Sequence, residues 1–484
     1  MELNFKNLKK KNIHILGISG LEGAAMLDFF LMNGFSKISA HDLSSREELK
    51  DNFIKNHPGF SRSVAEKYFR KISSFKKTAF YLKDDYLKEI ERADLVFAPQ
   101  SWFLYKENKP LLKLQRKIPV LNIINLYFSF GFKIIGVTGS QGKTTTSRLI
   151  RHLFTVSNKD IYYGGNDKKA VQSLPFLTKV SPDNFLLLEI SHRQLRFLKN
   201  QKGPYISVIL NISRNHLDEV RNFKEYQGLK KRILLSQGKK DFAVLNFDDK
   251  LVKKFSRVAK SQVFFFSSTV PQERGAFLDR KDGFLKIKIK GREINIVGIK
   301  ELSLQAQHHL QDVLAAAAVG FLSKISLSNI KKAIKTFVWP SDCFECLGKF
   351  KGVEYYSNLA SATPEAAKLA VENLTSKKYT GKRIFLLTGG EDKKMDYRGL
   401  IDAIKRGVDF LVLFPDSVSR KIKLKINRGK SSLIVKTVES LKEAAAFLKS
   451  KTKRGDTVLL SPGGAFFKSK YGSRKVFLKM IEQK

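Results

Sequence analysis

Residues 136–146 carry the sequence GVTGSQGKTTT, and this segment decides the fold of the central part of the chain. The run before it, residues 133–135, predicts a buried strand, and residues 147–154 have the apolar spacing of a helix. A strand, a glycine-rich turn and a helix form an anion cradle, because backbone N–H groups and the positive end of the helix dipole surround a phosphate. The segment therefore predicts a nucleoside triphosphate site.

Two side chains of this segment have predicted tasks in such a cradle. Lys143 would reach the outer phosphates, and the hydroxyl of Thr144 would bind a magnesium ion. The usual phosphate-loop pattern has a glycine five positions before Gly142, where this chain has Val137. The segment therefore matches a shorter variant of the loop.

The composition is that of a globular protein with an unusual charge. The 484 residues are enough for two to four domains, and 43% of them are hydrophobic. A net charge of +44 is compatible with a nucleic-acid-binding ATPase, since polyanions attract such a surface. However, the basic residues are spread along the whole chain and no nucleic-acid-binding signature accompanies them. Nucleic acid is therefore not a favoured partner, and acidic substrates explain the charge equally well.

The cysteines and the most apolar segments indicate a cytoplasmic protein without a membrane span. Cys343 and Cys346 have no second pair for a zinc site, so two reduced thiols are predicted. The N-terminus has no apolar signal core before the first predicted strand. The most apolar long stretch, residues 119–137, contains Asn122, Asn125 and Lys133, which excludes a membrane-spanning helix.

The first of three α/β blocks has the pattern of a nucleotide-binding βαβ unit. A strand at residues 11–16 is followed by a turn with Gly17, Gly20 and Gly23, and then by a helix over residues 24–33. The second strand ends at Asp42, whose carboxylate is suited to hydrogen-bond a nucleotide base or sugar. A charged helical insertion is predicted over residues 46–77.

The second and third blocks also alternate strands and helices. Near-continuous apolar runs at residues 185–190 and 206–210 predict a parallel sheet covered on both faces. Short strands over residues 262–299 predict a small peripheral sheet, and a helix is predicted over residues 307–322. The third block starts near residue 339 and has predicted strands at 383–387, 410–414 and 457–460. The fold class is therefore α/β, with mostly parallel sheets.

Several polar residues follow the predicted strands of the second block. Glu189 ends an apolar strand, where its carboxylate could complete a magnesium shell begun by Thr144. His216 follows another strand, which favours a second metal ligand over a structural histidine. Tyr226 and Lys230 lie one turn apart on a predicted helix. From the pattern alone, Lys230 is a solvated surface lysine.

The order of these motifs resembles that of the Mur ligases, the ATP-dependent amino-acid ligases of peptidoglycan precursor synthesis. The resemblance is carried by four segments of the central block, residues 138–145, 189–195, 211–218 and 226–230. Within the family, the D-glutamate-adding subgroup has Glu-x-Ser-x-x-Gln-Leu, Gly-Gly-x-x-Lys and Leu-Leu-Ser-Pro. This chain has the same patterns, beginning at Glu189, Gly389 and Leu459.

The resemblance implies three domains and a reaction. The domains would be a Rossmann-like UDP-sugar-binding domain over residues 1–118, a central P-loop ATPase domain over 119–338, and a Rossmann-like amino-acid-binding domain over 339–484. ATP would phosphorylate the carboxylate of UDP-N-acetylmuramoyl-L-alanine, and the amine of D-glutamate would attack the acyl phosphate. ADP and phosphate would be released, with Mg²⁺ as the metal.

The resemblance also implies roles for individual residues. Lys143, Lys230 and His216 would be catalytic, and Lys230 would be carbamylated so that it could bind magnesium with Thr144, Glu189 and His216. Asp42, Asn166, Lys393 and Ser461 would bind the substrates. The residues around ATP would be Gly139, Ser140, Gln141, Gly142, Lys143, Thr144, Thr145, His308 and Thr363.

The chain departs from the subgroup mainly where the incoming amino acid is held. The subgroup has His-Arg where this chain has Asp342 and Cys343, and a serine where this chain has Phe466. Ser361 replaces a lysine, and His309 replaces an asparagine beside the adenine. An arginine-to-cysteine exchange removes a bidentate carboxylate clamp. The sequence therefore leaves two alternatives open, a ligase for another amino acid and a non-catalytic nucleotide-binding relative.

Overall fold

The computed structural model describes residues 5–74, 78–198, 202–214, 218–303, 305, 309–360, 362–375, 382–426 and 433–482. The chain divides into two compact units. The first comprises residues 1–211, 224–296 and 311–333, and the second comprises residues 212–223, 297–310 and 334–484. Of the predicted site residues, His216 and His308 lie outside the described residues, as does Ser361.

The first sheet of unit 1 is parallel and has the strand order β3-β2-β1-β4-β5 over the described residues. Its strands are β1 Ile13–Leu16, β2 Ile38–Asp42, β3 Ala79–Leu82, β4 Leu95–Phe97 and β5 Val120–Leu121. Its helices are Phe5–Leu8, Leu21–Met32, Arg46–Asn56, Arg62–Ser73, Lys109–Leu114 and Ile123–Ser129. Short 3-10 helices lie at Lys83–Asp85, Ile90–Arg92, Trp102–Leu104 and Lys106–Asn108.

The glycine turn after β1 is enforced by close packing. Gly17 has a φ of 65°, which favours glycine, and a Cβ on Gly23 would lie 2.1 Å from the Gly17 carbonyl oxygen. Because β1 lies between β2 and β4, the chain reverses its direction of growth here, and ligands bind at such switch points in open α/β sheets. The inserted helices predicted over residues 46–77 are present as Arg46–Asn56 and Arg62–Ser73.

The second sheet of unit 1 follows the order β14-β13-β12-β11-β10-β9-β6-β8-β7 within the described ranges. Its strands are β6 Lys133–Thr138, β7 Ile161–Gly165, β8 Phe185–Glu189, β9 Ile206–Ile209, β10 Phe242–Asn246, β11 Gln262–Ser267, β12 Gly275–Asp279, β13 Phe284–Ile289 and β14 Arg292–Gly298. The helices of this part are Lys143–Val156, Phe223–Leu235, Lys250–Phe255, Leu310–Leu322 and Leu327–Thr336. Its 3-10 helices are Leu174–Lys179, Gln194–Phe197, Ser256–Val258 and Ile299–Glu301.

The prediction of a separate small sheet over residues 262–299 is wrong. β11 pairs in parallel with β10, so these strands extend the central sheet, and the first antiparallel pairing is that of β12 with β13. The alternating pattern of the segment is that of strands whose second face is partly exposed, and it carries no information about which strand they pair with.

The sheet of unit 2 has the order β15-β16-β20-β17-β18-β19 in the part of the chain that is described, and β15–β16 is its antiparallel pair. Its strands are β15 Glu345–Phe350, β16 Val353–Ser357, β17 Ile384–Thr388, β18 Phe410–Leu413, β19 Ile434–Thr437 and β20 Thr457–Leu460. Its helices are Pro364–Thr375, Arg398–Gly407, Ser417–Ile426, Leu441–Lys451, Phe467–Tyr471 and Arg474–Glu482.

Both faces of this last sheet are covered by apolar side chains. Successive residues of β17 belong to different hydrophobic clusters, with Ile384 and Leu386 in one and Phe385 and Leu387 in the other. Since side chains alternate across a strand, the two clusters lie on opposite faces. Burial on both faces explains why β17 and β18 are near-continuous apolar runs.

The predicted fold class is confirmed, since three α/β domains with mostly parallel sheets are present. The predicted domain limits at residues 118 and 338 stay predictions, although β5 at residues 120–121 pairs with the first sheet. In the described part of the chain, no helix combines the length and apolar character needed to cross a membrane.

Candidate active site

The glycine-rich segment forms the predicted loop between β6 and helix Lys143–Val156, at the switch point where β6 lies between β9 and β8. Gly142 has a φ of 80°, and a Cβ there would lie 2.3 Å from Oδ1 of Asp312. Only glycine fits this position without strain. Thr145 is buried in the first turn of the helix. The loop therefore has the conformation that an anion cradle requires.

Asn211 fixes the same loop from the end of β9. Its carbonyl oxygen accepts a hydrogen bond from Ser140 N at 2.9 Å, and its Oδ1 accepts one from Gln141 N at 2.9 Å. Asp312 has a parallel task, because its Oδ1 accepts from the Thr146 hydroxyl at 2.9 Å. The sequence analysis did not assign Asn211 or Asp312 to the site. The signal that could have identified them is a polar residue directly after a predicted strand, for Asn211, or at the start of a predicted helix, for Asp312.

Lys143 is folded back onto its own loop. Its Nζ donates to the carbonyl oxygens of Gly139 at 2.8 Å and Ser140 at 3.2 Å. Burial lowers the pKa of Lys143, and the nearby Glu189 carboxylate partly opposes this effect. The lysine thus has neutral oxygen partners that an anionic ligand can replace.

Glu189 brings three of the predicted residues together. It is the last residue of β8 and is 1% exposed. Its Oε2 accepts from the Thr144 hydroxyl at 2.7 Å, and its Oε1 accepts from Asn166 Nδ2 at 2.9 Å. Two neutral donors therefore hold the Glu189 carboxylate beside the phosphate loop.

The donor set at Glu189 fits a magnesium ion. Carboxylate and hydroxyl oxygens are the ligands that Mg²⁺ prefers, and the Glu189 carboxylate and Thr144 hydroxyl are within hydrogen-bond distance of each other. Among the described residues, no three His, Cys, Asp or Glu side chains converge to form a complete metal site. The structure therefore supports a partial site, in which substrate phosphates and water supply further oxygens.

Lys230 is buried beside the phosphate loop rather than on the surface. It is 1% exposed, and its Nζ donates to Thr138 Oγ1 and to the Gly139 carbonyl oxygen, each at 3.0 Å. Burial lowers its pKa well below 10.5, with a further contribution from the positive charge of Lys143. The neutral amine of Lys230 is therefore accessible at a pH at which surface lysines stay charged.

Tyr226, one turn before Lys230 on the same helix, completes this cluster. Its hydroxyl lies 3.1 Å from Ser140 Oγ, and Lys230 Nζ lies 5.4 Å from its ring centroid. The one-turn spacing of Tyr226 and Lys230 thus places both side chains against the loop.

A second polar cluster links the first sheet to the central sheet around Glu22. This residue precedes Gly23 in the glycine turn and is 7% exposed. Its Oε1 accepts from Gln194 Nε2 at 2.7 Å, and its Oε2 accepts from Gln100 N at 2.6 Å and Asn122 Nδ2 at 2.9 Å. Burial raises the pKa of Glu22. Sequence reasoning missed this residue, because an acid between two glycines has the pattern of an ordinary turn.

Gln100 connects the Glu22 cluster to the candidate metal ligand. Its Nε2 donates to Glu22 Oε1 at 3.1 Å and to Asn166 Oδ1 at 3.0 Å, and Asn166 in turn donates to Glu189. A continuous chain of hydrogen bonds therefore connects the glycine turn to the phosphate loop within unit 1.

Asp42 lies next to the glycine turn, as predicted, and both of its oxygens are occupied. Oδ2 accepts from Ser19 N at 2.7 Å, and Oδ1 accepts from Ser44 N at 3.0 Å and Ser44 Oγ at 2.7 Å. The carboxylate holds the ends of β1 and β2 together. A ligand at this edge would compete with the serine hydrogen bonds.

In unit 2, the predicted residues lie around the ends of its parallel strands. Ser461 is fully buried, and its Oγ accepts from Asn358 Nδ2 at 3.0 Å. The Thr363 hydroxyl accepts from Ala366 N at 3.3 Å, at the start of helix Pro364–Thr375. Lys393 Nζ lies 5.4 Å from the ring centroid of Phe466. His309 stacks on Trp339 at a centroid distance of 5.2 Å.

Two other lysines near Phe466 form ion pairs with carboxylates of the same chain. Lys468 Nζ lies 2.9 Å from Asp342 Oδ2, and Lys470 Nζ lies 3.2 Å from Glu391 Oε1. Lys393 has no carboxylate partner within the described residues. Of these three cations, Lys393 is the one that remains for a ligand.

The cations near the position of the family's arginine are already paired with acids. Cys343 is not in a disulfide, and the neighbouring Asp342 is 5% exposed and accepts from the Ser357 hydroxyl at 2.9 Å. Arg474 contacts Glu345, and its Nε lies 3.9 Å from Asp342. A cavity of about 360 Å³ lies beside Phe466 and is lined largely by apolar groups, including Leu359, Ala362 and Phe467.

Two family models match the chain. The Mur ligase middle domain matches residues 137–320, and the Mur ligase, glutamate ligase domain matches residues 344–464. A UDP-N-acetylmuramoylalanine–D-glutamate ligase of Koribacter versatilis is 31% identical over 74% of this chain and 77% of its own length. The chain belongs to the Mur ligase family. Mur ligases are ATP-dependent amide-bond ligases, and a role in peptidoglycan synthesis follows from the relatives.

Further relatives and solved structures agree with this assignment. The corresponding ligase of Caldanaerobacter subterraneus is 27% identical over 98% of both chains. A pseudomurein peptide ligase type C from Methanothermus fervidus has a TM-score of 0.60, with 20% identity over 97% of this chain and 100% of its own. A MurF ligase from Thermotoga maritima in complex with ADP has a TM-score of 0.54, with 20% identity over 82% of this chain and 90% of its own. These structures support the fold.

Proposed function

We propose that this Mur ligase joins D-glutamate to UDP-N-acetylmuramoyl-L-alanine in the cytoplasm, with hydrolysis of ATP to ADP and phosphate. The observation that carries the proposal is the convergence of Lys143, Thr144, Glu189 and Lys230 on one loop. The relatives named for D-glutamate ligation support the choice of substrates.

The phosphate loop would perform the first step, transfer of the γ-phosphoryl group to the substrate carboxylate. Lys143 exchanges its carbonyl partners for phosphate oxygens and neutralises charge that develops on the transferring group. Thr144 and Glu189 would hold Mg²⁺, which supplies Lewis-acid polarisation of the phosphate when it is bound. Asn166 and Asp42 would contact the UDP-sugar, and Gly139 to Thr145, His308 and Thr363 would surround ATP.

Lys230 would act after modification by carbon dioxide. Its neutral amine attacks the carbon of CO₂, a C–N bond forms, and the nitrogen loses a proton to give a carbamate anion. The carbamate changes a buried neutral amine into a buried anion beside Thr138 and Gly139. With His216, this anion would hold a second magnesium ion.

In the second step, the amine of the incoming amino acid attacks the acyl phosphate and releases phosphate. Lys393 would bind a carboxylate of that amino acid, because its charge is not neutralised by a described acid. Ser461 would position the same ligand from the end of β20. With Cys343 and Phe466 in place of polar groups, a dicarboxylic amino acid would be held weakly.

One observation favours a second candidate, a Mur-type ligase for a less polar amino acid. The cavity beside Phe466 is lined mainly by apolar groups and Lys468 at its edge is paired with Asp342. Such a cavity accepts an apolar side chain more readily than a carboxylate. A non-catalytic relative is the remaining alternative.

A coupled assay separates these possibilities. Phosphate release from ATP is measured with UDP-N-acetylmuramoyl-L-alanine against a panel of D- and L-amino acids, and the products are identified by mass spectrometry. We expect ligation of D-glutamate with a high KM. Turnover with an apolar amino acid alone would replace D-glutamate in the proposal, and ATP binding without any ligation would favour the non-catalytic relative.

A further inference from the structure

Unit 1 contains a cavity that the proposed function does not use. It has a volume of about 360 Å³ and lies between helix Leu21–Met32, the inserted helix Arg62–Ser73 and the 3-10 helix Leu174–Lys179. This volume is within the range of small-molecule sites, which are concave and mostly apolar with a few polar groups. The glycine turn, Asp42 and the phosphate loop do not line it.

The mouth of this cavity exposes large apolar side chains. Val64 is 48% exposed, Val171 is 52% exposed and Phe176 is 50% exposed, and all three line the cavity. Isolated exposed apolar residues are common, but three around one concave site form a patch that gains free energy when a ligand covers it.

The walls of the cavity are held by close backbone packing. A Cβ on Gly59 would lie 2.2 Å from the carbonyl oxygen of Lys169, so the turn between the two inserted helices rests directly on the backbone of the central domain. Residues that flank this contact, Phe60 and Val171, both line the cavity. The site is therefore part of the packed structure of unit 1.

His57 forms part of the closed wall of this cavity. It is 1% exposed, and its ring stacks on Phe53 at a centroid distance of 4.0 Å. Nδ1 lies 2.7 Å from the Phe53 carbonyl oxygen, which can only accept, so Nδ1 carries the hydrogen. Nε2 has almost no accessible surface, so it is closed to a ligand in the cavity, and the contacts to a ligand are left to the apolar side chains.

The charges at the cavity favour an anion. Asp28 and Lys71 neutralise each other at 2.7 Å. Lys67 also lines the cavity, is exposed and has no ion pair with another described residue. The chain carries a net charge of +44, so no long-range negative field offsets this lysine.

From these observations we propose that the cavity binds a small aromatic anion. The ring lies against Phe60, Val64 and Phe176, and the anionic group lies near Lys67. This site is separate from the ligation reaction, so its test does not depend on the substrates of that reaction.

The probe is 8-anilinonaphthalene-1-sulfonate, which combines an aromatic body and an anion, and its fluorescence is titrated against the full chain. We expect saturation at a single site. Val64→Trp fills the mouth and should weaken binding about tenfold or more, because the loss of apolar contact area is large. The matched control is Val270→Trp, since Val270 is 44% exposed and does not line the cavity. It should bind as wild type does.

A further measurement isolates the charge. Lys67→Ser should weaken binding of the sulfonate probe several-fold and leave binding of the neutral N-phenyl-1-naphthylamine unchanged. Because both probes are measured on the same variant, the neutral probe controls for any effect of the substitution on folding.

Three results would overturn the proposal. The first is equal probe binding by Val64→Trp and Val270→Trp at unchanged melting temperature. The second is non-saturating binding, which would show that the sulfonate only decorates a cationic surface. The third is a dimer in analytical ultracentrifugation that Val64→Trp dissociates, since the patch would then be covered by a second copy of the chain.

Discussion

The lysines of the phosphate loop and those of the third sheet have opposite partners. In unit 1, Lys143 and Lys230 donate to carbonyl and hydroxyl oxygens; Lys143 is half-buried and Lys230 is fully buried. In unit 2, Lys468 and Lys470 form ion pairs with carboxylates, and their side chains are 55% and 43% exposed. Uncompensated cations in a buried site are costly and are suited to an anionic ligand, whereas exposed ion pairs contribute little and bind nothing further.

The comparison shows which lysines remain available for an anionic ligand. The phosphate loop has the groups that a triphosphate requires, whereas of the three lysines compared in unit 2 only Lys393 lacks a described acid beside it. The nucleotide half of the family's site is therefore better preserved in this chain than the amino-acid half.

The largest expected effect tests the first side of the comparison. Lys143→Ala should reduce ATP turnover about a hundred- to a thousandfold, because it removes the charge that neutralises the transferring phosphoryl group. ADP release is the measurement, with circular dichroism as a check on folding. Lys133→Ala, at the exposed start of the same β6, is the matched control. Turnover within a few-fold of wild type would remove the phosphate-loop assignment.

The next prediction concerns the buried amine. Lys230→Ala should lower turnover roughly a hundredfold, and short carboxylic acids such as acetate should restore part of it, because they replace a lost carbamate. The control is Lys224→Ala, an exposed lysine on the same helix. Full activity of Lys230→Ala would show that this lysine has a structural role alone, and loss without rescue would argue against the carbamate.

The next prediction tests the lysines of unit 2 at Lys393. Lys393→Ala should lower kcat/KM for the amino acid roughly ten- to a hundredfold and leave ATP affinity unchanged, because a charged hydrogen bond to the ligand is lost. Lys394→Ala changes the adjacent exposed lysine and should have no such effect. If the two variants behave alike, the acceptor site lies elsewhere in the third domain.

The smallest effect is on stability. Lys230→Met should stabilise the unliganded protein by roughly 1 kcal/mol at neutral pH, since a buried amine is replaced by an apolar chain of similar volume. Neither partner loses its last hydrogen bond, because Thr138 Oγ1 still donates to Ile190 and the Gly139 carbonyl still accepts from Lys143.

The gain should depend on pH with a definite sign. The pKa of Lys230 is lowered in the folded protein, so the unfolded chain binds more protons below 10.5, and wild-type stability rises as the pH rises toward that value. The difference between Lys230→Met and wild type should therefore shrink between pH 7 and pH 10 in urea denaturation. A difference that stays constant would show that Lys230 is not buried as a neutral amine.

Much of the site was predictable because its signals are local. The glycine spacing of residues 136–146 permits the turn, and the apolar runs on either side specify a buried strand and an amphipathic helix. Glu189 was predictable for a related reason, since a polar residue that ends an apolar strand lies at the edge of a parallel sheet where ligands bind, whereas Asn166 was implied only by the family resemblance. The sequence by itself determined the strand, the loop and the side chains that meet there.

The tertiary structure decided which distant residues complete that site. Lys230 follows Gly139 by 91 positions in the chain. Its burial and the charges near it depend on how its helix packs against the loop. Asp312 and Glu22 reach the site in the same way, through packing that no local pattern encodes. The extension of the central sheet by β11–β14 was also decided by pairing. Local conformational preferences act over a few residues, whereas burial and strand pairing depend on the whole packed chain.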